Sequence, residues 1–160
     1  MNTKNKKLKI AIAGLGFGKK VHLEALKASD YLTPVAIYHY ETKQKSILEK
    51  ETGLEFFHNW EELVKSPKID GIIISTPPES RFKLAKQALE NNKNLLLEKP
   101  VSISSSEIEE LQRISLINNL SVCVDFEYRA VPLFLQTKKL IDEKYFRRYI
   151  FSQIRLVNGQ

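Results

Sequence analysis

Short, continuously apolar runs alternate with longer amphipathic stretches along most of the chain, and this rhythm restricts the possible folds more than any other feature. The apolar runs cover Leu8 to Ala13, Val35 to Tyr38, Ile69 to Ile74, Leu95 to Leu97 and Val122 to Phe126. The amphipathic stretches between them cover Lys19 to Ala28, Thr42 to Thr52, Ser80 to Asn91 and Glu107 to Asn119. Apolar runs of this kind are typical of parallel strands that helices cover on both faces. We therefore predict an α/β fold with a doubly wound parallel sheet.

Local signals at the helix ends support these boundaries. Asn59 and Ser104 are each followed three residues later by a glutamate, Glu62 and Glu107, a pattern typical of a helix N-terminus. Gly53 follows the second amphipathic stretch and can adopt the left-handed conformation that ends a helix. The last amphipathic stretch is predicted to bury an apolar face made of Ile108, Leu111, Ile114 and Ile117.

Length and composition exclude several classes of protein. The 160 residues suffice for one domain and leave little for a second. A hydrophobic content of 42% excludes an intrinsically disordered chain. The single cysteine, Cys123, cannot form an internal disulfide, so we expect a cytoplasmic protein. No targeting segment and no membrane partner are expected, because no apolar run reaches the roughly 18 residues that a spanning helix needs.

The net charge raises the question of an anionic partner. Lysine and arginine exceed aspartate and glutamate by 25 − 19 = 6. Part of this excess forms a short basic N-terminus, which contains Lys4, Lys6, Lys7 and Lys9, and the other lysines are scattered among glutamates. Such scattering is typical of a solvated face, so we expect no nucleic-acid partner.

A glycine-rich turn directly follows the first predicted strand. It comprises Gly14, Leu15, Gly16, Phe17 and Gly18. Glycines at this place permit a tight turn and a close approach of the backbone to a pyrophosphate, while the next helix offers free N–H groups to the anion. The spacing is G-x-G-x-G, which differs from the usual G-x-G-x-x-G. A glycine-rich turn without a ligand is the alternative interpretation.

The end of the second predicted strand bears on the choice of cofactor. Dinucleotide-binding domains often carry an acidic residue there, which holds the ribose hydroxyls and disfavours a 2′-phosphate. This chain has His39 and Tyr40 at that place. The choice between NAD and NADP therefore stays open, and His39 could equally lie in the loop without contacting a ligand.

Two further segments follow predicted strands. Ser75, Thr76 and Pro77 end one strand, and Glu98, Lys99 and Pro100 end the next. Ligands of open parallel sheets lie at the carboxyl ends of the strands, so both segments are candidate parts of a site. Lys99 is the candidate catalytic residue, although a lysine in such a loop is often only a surface residue. We predict no metal site.

Four motifs occur in a fixed order. They are GLGFG-x-x-x-H from Gly14 to His22, STPP from Ser75 to Pro78, LLLEKP from Leu95 to Pro100 and VDFEYR-x-x-P from Val124 to Pro132. Together they resemble the N-terminal part of the glucose-fructose oxidoreductase, inositol dehydrogenase and rhizopine-catabolism (Gfo/Idh/MocA) family. The resemblance runs over essentially the whole chain, and the ordered combination is more specific than any single motif.

The resemblance implies a Rossmann domain over residues 1–126 that binds NAD or NADP, followed over residues 127–160 by the start of an α+β domain for substrate binding and oligomerisation. The implied reaction is hydride transfer to or from a secondary alcohol or carbonyl of a sugar, cyclitol or related polyol. The lysine matching Lys99 lies near the nicotinamide and the substrate hydroxyl in the family. Ser75, Thr76 and Pro77 would line the nicotinamide half of the cofactor, and Arg129 is a further candidate contact.

The chain also departs from the family pattern. Arg81 stands where relatives commonly place a histidine, so a role there would shift to phosphate or carboxylate contact, or to none. The acid/base partner of Lys99 comes from the second domain in the family, and no residue here matches it. The sequence therefore looks like the cofactor-binding half of such an enzyme, and turnover by this chain alone is in doubt. A non-catalytic dinucleotide-binding module, or a remnant of an enzyme, is the alternative.

The last forty residues break the earlier rhythm. They are predicted to contain a helix from Val131 to Glu143 and a strand from Arg147 to Val157. Both would lack the sheet against which they pack in a complete family member, so we expect an exposed apolar face and self-association. A homo-oligomer or a missing C-terminal half would cover it.

Overall fold

A computed structural model describes residues 7–143 and residue 145, and its main element is a six-stranded parallel sheet. The strands are β1 (Leu8–Ala13), β2 (Leu32–Tyr38), β3 (Glu55–Phe57), β4 (Gly71–Ile74), β5 (Asn94–Leu97) and β6 (Val122–Val124). Their spatial order is β3-β2-β1-β4-β5-β6. This is the order of a Rossmann sheet, and it confirms the predicted doubly wound fold.

Helices connect successive strands, except for the last helix, which follows β6. They are α1 (Leu23–Lys27), α2 (Lys45–Thr52), α3 (Trp60–Lys65), α4 (Pro78–Glu90), α5 (Ser105–Ile117) and α6 (Pro132–Asp142). A π-helical turn, Gly18–His22, leads directly into α1, and short 3₁₀ turns span Thr42–Gln44 and Glu127–Ala130.

Side chains from both faces of the sheet form separate cores, because successive residues of a strand point to opposite faces. On β1, Ala11 and Ala13 join a core with α3, α4 and α5, whereas Ile10 and Ile12 join a second core with α1 and α2. On β4, Ile72 and Ile74 lie in the first core and Ile73 in the second. Burial on both faces explains why these strands are continuously apolar.

The second strand is longer than the sequence indicated. The prediction began at Val35, whereas β2 begins at Leu32 and includes Pro34. The pairing of β1 with β2 shifts register between Ile10 and Ala11, opposite Pro34. Proline has no N–H to donate to a ladder, and it is tolerated in a sheet mainly where the pairing is irregular.

The helix-end predictions had different outcomes. Asn59 accepts hydrogen bonds from the backbone N–H groups of Glu61 and Glu62 at 2.9 and 3.4 Å, as predicted. Gly53 follows α2 with a φ of 70°, also as predicted. α5 begins after Ser104, but the Ser104 hydroxyl contacts the Ser106 hydroxyl at 2.7 Å and makes no cap bond.

Other elements differ in part from the prediction. β3 was not predicted, because a strand of three residues is too short to show a period. Leu111 and Ile114 are buried on α5, but Ile108 and Ile117 are exposed, so the predicted apolar face is too broad. The helix predicted from Val131 is present as α6, and the strand predicted from Arg147 to Val157 lies outside the described residues.

The chain divides into two compact units between Asp125 and Phe126. The first contains the sheet and α1 to α5. The second contains the 3₁₀ turn and α6, with the rings of Tyr128 and Phe134 5.7 Å apart. No helix within residues 7–143 combines the length and the apolar character that crossing a membrane requires.

Candidate nucleotide-binding site

A cleft of about 860 Å³ opens at the carboxyl edge of the sheet, beside the central strand β1. The strand order reverses there, since β2 and β4 flank β1 on opposite sides, and open α/β sheets bind their ligands at such a point. The predicted site residues that line this cleft are Gly14, Leu15, Gly16, His39, Tyr40, Ser75, Thr76 and Pro77. The cleft is also lined by Tyr38, Glu79, Ser80, Arg81 and Leu84. Of these residues, only Arg81 was considered for a site role from the sequence.

The three glycines of the turn have different structural reasons. Gly14 has a φ of 113°, and a Cβ there would lie 2.7 Å from the Ser75 Oγ. A Cβ on Gly18 would lie 2.3 Å from the same oxygen and 2.9 Å from the Ile12 Cγ2. A Cβ on Gly16 would meet no atom within 4 Å. Gly14 and Gly18 are therefore needed for internal packing, while Gly16 leaves open space at the cleft.

The open space at Gly16 indicates whether a dinucleotide would fit beside the turn. A pyrophosphate can approach the protein backbone closely at Gly16, because no side chain fills the turn there. Thr76 also lines the cleft, and its hydroxyl is buried and has no hydrogen-bond partner among the described residues. A polar ligand would fit both features.

At the end of β2, two rings replace the usual acidic residue. The rings of His39 and Tyr40 are 4.6 Å apart and inclined by 31°. The His39 Nδ1 accepts a hydrogen bond of 3.2 Å from the Glu41 backbone N–H. Tyr40 is exposed. The two residues directly after β2 therefore carry no carboxylate. The choice between NAD and NADP stays open in the structure, as it did in the sequence.

The end of β4 is bound to the end of β1. The Ser75 backbone N–H and hydroxyl both donate to the Ala13 carbonyl, at 2.8 and 2.9 Å. Ser75, at the end of the neighbouring strand β4, therefore fixes the start of the glycine-rich turn. Its packing role accompanies the predicted contact to a cofactor, which stays a prediction.

A buried polar cluster lies behind the segment Glu98 to Pro100. The His22 Nε2 is 2.9 Å from the Glu98 Oε1 and 3.7 Å from the Asp125 Oδ2, and His22 and Glu98 are 6% and 8% exposed. The ligand atoms of the three residues lie within 4.8 Å of one another, a spacing that a metal ion also requires. The hydrogen bond between His22 and Glu98 accounts for their burial without one. The histidine was part of a quoted motif, but no pattern in the sequence indicated this pairing.

Glu98 and Lys99 are also connected through the backbone. The Lys99 backbone N–H donates to the Glu98 Oε2 at 3.2 Å, and the Glu98 N–H donates to the Ile74 carbonyl at 3.0 Å. The carboxylate of Glu98 thus points into the protein, toward His22, while Lys99 is exposed. Neither residue lines the cleft, nor do Phe17, Gly18 and Pro100. Their predicted contacts to a cofactor or substrate stay predictions.

Arg81 is buried although it borders the cleft. The residue is 3% exposed, and its guanidinium donates to the backbone carbonyls of Thr76, Glu98 and Pro100. Its described partners are therefore main-chain carbonyls. Whether it also contacts a phosphate or carboxylate of a ligand, or no ligand, stays open as it did from the sequence. Burial lowers the pKa of the guanidinium, and the negative charges of Glu98 and Glu79 oppose that change.

Arg129 lies in the second unit. It belongs to the 3₁₀ turn Glu127–Ala130, where its backbone N–H donates to the Phe126 carbonyl at 2.9 Å, and it is exposed. The expected contact of Arg129 with a cofactor stays a prediction.

Comparisons with known proteins agree with this architecture. The model of an oxidoreductase family with an NAD-binding Rossmann fold matches residues 8–126. An uncharacterized oxidoreductase of Synechocystis sp., sll0816, is 32% identical over 156 residues, which are 97% of this chain and 41% of that protein. Inositol 2-dehydrogenase of Mycolicibacterium smegmatis is 26% identical over 84% of this chain and 40% of its own length.

A solved structure is similar as well. The scyllo-inositol dehydrogenase of Lactobacillus casei, with bound NAD(H) and scyllo-inositol, has a TM-score of 0.81 and 25% identity. The match covers 89% of this chain and 43% of that one. The chain thus spans about two fifths of the length of the proteins that it resembles.

Proposed function

The chain belongs to the oxidoreductase family with an NAD-binding Rossmann fold, and from this premise we propose that it is the cofactor-binding half of a dehydrogenase. The proposed reaction transfers a hydride between a nicotinamide cofactor, NAD or NADP, and a secondary alcohol or carbonyl of a sugar, cyclitol or related polyol. The inositol dehydrogenases among its relatives support this substrate class.

The open turn at Gly16 carries the proposal. It borders a cleft at the point where the strand order reverses, and it is the one glycine of the three whose missing side chain leaves space free of protein atoms. A pyrophosphate at this turn would accept hydrogen bonds from backbone N–H groups at the start of the helix Gly18 to Lys27.

The remaining residues would have distinct roles. Thr76 offers a buried hydroxyl on the cleft wall, and Lys99 would orient or polarise the substrate oxygen. The nicotinamide ring supplies the hydride chemistry when bound, and the protein supplies binding and orientation.

We also propose a domain assignment. Residues 1–126 would form the cofactor domain, and residues 127–160 would begin the domain for substrate binding. The division into compact units between Asp125 and Phe126 supports this boundary. The chain spans about two fifths of its relatives, so a dinucleotide-binding module without catalysis is the second candidate function.

Titration with NADH and NADPH, followed by nicotinamide fluorescence, tests the proposal. We expect saturable binding to the wild-type chain and at least about tenfold weaker binding to Gly16→Asp, because a carboxylate would repel the pyrophosphate. Gly16→Asn has the same shape without the charge, so it should retain more affinity than Gly16→Asp. Both variants should fold, since the position is open.

Three results would decide between the alternatives. Absence of binding to the wild-type chain at millimolar cofactor would refute the proposed function. Unchanged binding to Gly16→Asp would refute the placement of the pyrophosphate. Binding without turnover on any polyol, even with a supplied second domain, would favour the non-catalytic module.

A further inference from the structure

Arg81 occupies an unusual place for a positive charge. It lies in the first turn of α4, and only 3% of its surface is exposed, although it borders the cleft. Burial of an unpaired guanidinium is costly, so its partners must compensate for the lost water. A buried arginine that borders a ligand cleft therefore calls for an explanation.

The partners of Arg81 belong to two different loops. Its Nη2 donates to the carbonyl of Thr76, in the loop after β4. Its Nη1 donates to the carbonyls of Glu98 and Pro100, in the loop after β5. One planar group thus joins the cleft wall to the loop that carries Lys99.

A carboxylate of the second loop acts on the charge of the guanidinium. The carboxylate of Glu98 lies close enough to oppose the effect of burial on the Arg81 pKa. That carboxylate is hydrogen bonded to His22 and to the backbone N–H of Lys99. The Arg81 guanidinium and the Glu98 carboxylate therefore both bind backbone groups of residues 98–100.

Two of the three carbonyls that Arg81 binds belong to Glu98 and Pro100, the residues on either side of Lys99. Fixing both of them leaves little freedom for the Lys99 backbone, and the bond to Thr76 sets the position of this loop relative to the cleft. On the basis of the proposed function, we propose that Arg81 is a positioning residue, which sets the distance between the bound nicotinamide and Lys99 by joining the two loops.

The type of residue matters for this role. An arginine offers donors on a rigid planar fork and can bind several carbonyls at once, whereas a lysine directs three donors from a single atom. A histidine, which the family resemblance led us to expect here, has two ring nitrogens and could not bind three carbonyls. The joint between the loops is therefore specific to arginine.

The test compares a whole cofactor with a fragment of it. ADP-ribose, or its 2′-phospho form, shares the adenosine and pyrophosphate of the preferred cofactor but lacks the nicotinamide. Binding of the reduced cofactor is followed by fluorescence and binding of the fragment by calorimetry, for wild type, Arg81→Lys and Arg81→Met. Lys83→Met, an exposed residue of the same helix, is the matched control for removal of a positive charge.

We expect Arg81→Lys to bind the dinucleotide about tenfold more weakly, the scale of one charge-assisted hydrogen bond, while its affinity for the fragment changes by less than about twofold. Arg81→Met should bind the dinucleotide more weakly still, again with little change in its affinity for the fragment. Lys83→Met should bind both as tightly as the wild type does. If Arg81→Met does not fold, Arg81→Lys, which keeps the charge and most of the stem, still provides the test.

The contrary results are separable. Equal losses for dinucleotide and fragment, or no loss for either, would overturn the positioning role while leaving cofactor binding in place. A wild-type chain that binds the fragment but gains nothing from the nicotinamide would also overturn it. If the wild type binds neither, the proposed function fails and the positioning role fails with it.

Discussion

At the scale of single residues, the structure distinguishes side chains that look alike in the sequence. Gly14, Gly16 and Gly18 form one motif, yet two of them are required by the nearby Ser75 and one faces open space. Glu98 and Lys99 are adjacent, yet the carboxylate is buried against His22 while Lys99 is exposed. Each difference depends on a partner that is distant in sequence.

Tyr38 provides a residue-scale prediction about pH. Its ring borders the cleft and packs edge-on against Trp60, with ring centroids 4.9 Å apart, and burial raises the pKa of its phenol above 10.0. In the unfolded chain the phenol ionises near pH 10, whereas in the folded chain it stays neutral to higher pH. The folded state binds the extra proton, so this group lowers the free energy of unfolding as the pH rises above 10.

Tyr38→Phe keeps the ring and removes the ionisation. We expect wild type to lose stability relative to Tyr38→Phe between pH 9 and pH 11, as urea denaturation at each pH would show. The lysines and the other tyrosines titrate in both proteins, so their effects cancel in the difference between the two free energies of unfolding. A difference that is constant with pH would contradict the argument.

At the scale of elements, the start of the first helix packs directly on the end of β4. Gly18 opens the π-helical turn, and its α-carbon faces Ser75 and the Ile12 side chain on the neighbouring strand. The helix and the strand approach this closely only because residue 18 has no side chain. This contact sets where the helix begins relative to the cleft.

Gly18→Ala should therefore destabilise the fold by about 1 to 3 kcal/mol, the usual cost of overpacking a close contact. Gly16→Ala is the matched control, because the same methyl group would enter open space, and its effect should not exceed about 1 kcal/mol. The two free energies of unfolding come from denaturant titrations. Equal effects at the two positions would show that the packing argument is wrong.

At the scale of the whole molecule, the second unit presents apolar side chains to solvent. Leu133, Phe134 and Leu135 are all exposed on α6. Several apolar side chains exposed on one helix favour association. The expected self-association is thus supported by the surface of α6, and it stays a prediction.

Sedimentation velocity over a range of concentrations would measure it. We expect the average mass of the wild-type chain to rise with concentration, and Leu133→Glu to weaken that rise by interrupting the apolar surface. Gln136→Glu adds the same charge one turn further along α6 without removing an apolar side chain, so it should have little effect. A wild-type chain that stays monomeric at every concentration would contradict the prediction.

Much of the fold followed from the sequence, because strand and helix periods are local properties of the chain. The apolar runs predicted β1, β4, β5 and β6, and the motifs placed the candidate site at the ends of these strands. β3 and the first residues of β2 were not predicted. A three-residue strand is too short to show a period, and Pro34 interrupts the pattern expected of a strand.

The sequence by itself therefore determined the order of elements, the family and the edge of the sheet that carries the cleft. Only the tertiary structure decided which glycine faces open space, that His22 pairs with Glu98, and that Arg81 joins the loops after β4 and β5. His22 and Glu98 are 76 residues apart in the chain. Such pairings depend on how strands are placed side by side, and no local pattern of residue types encodes them.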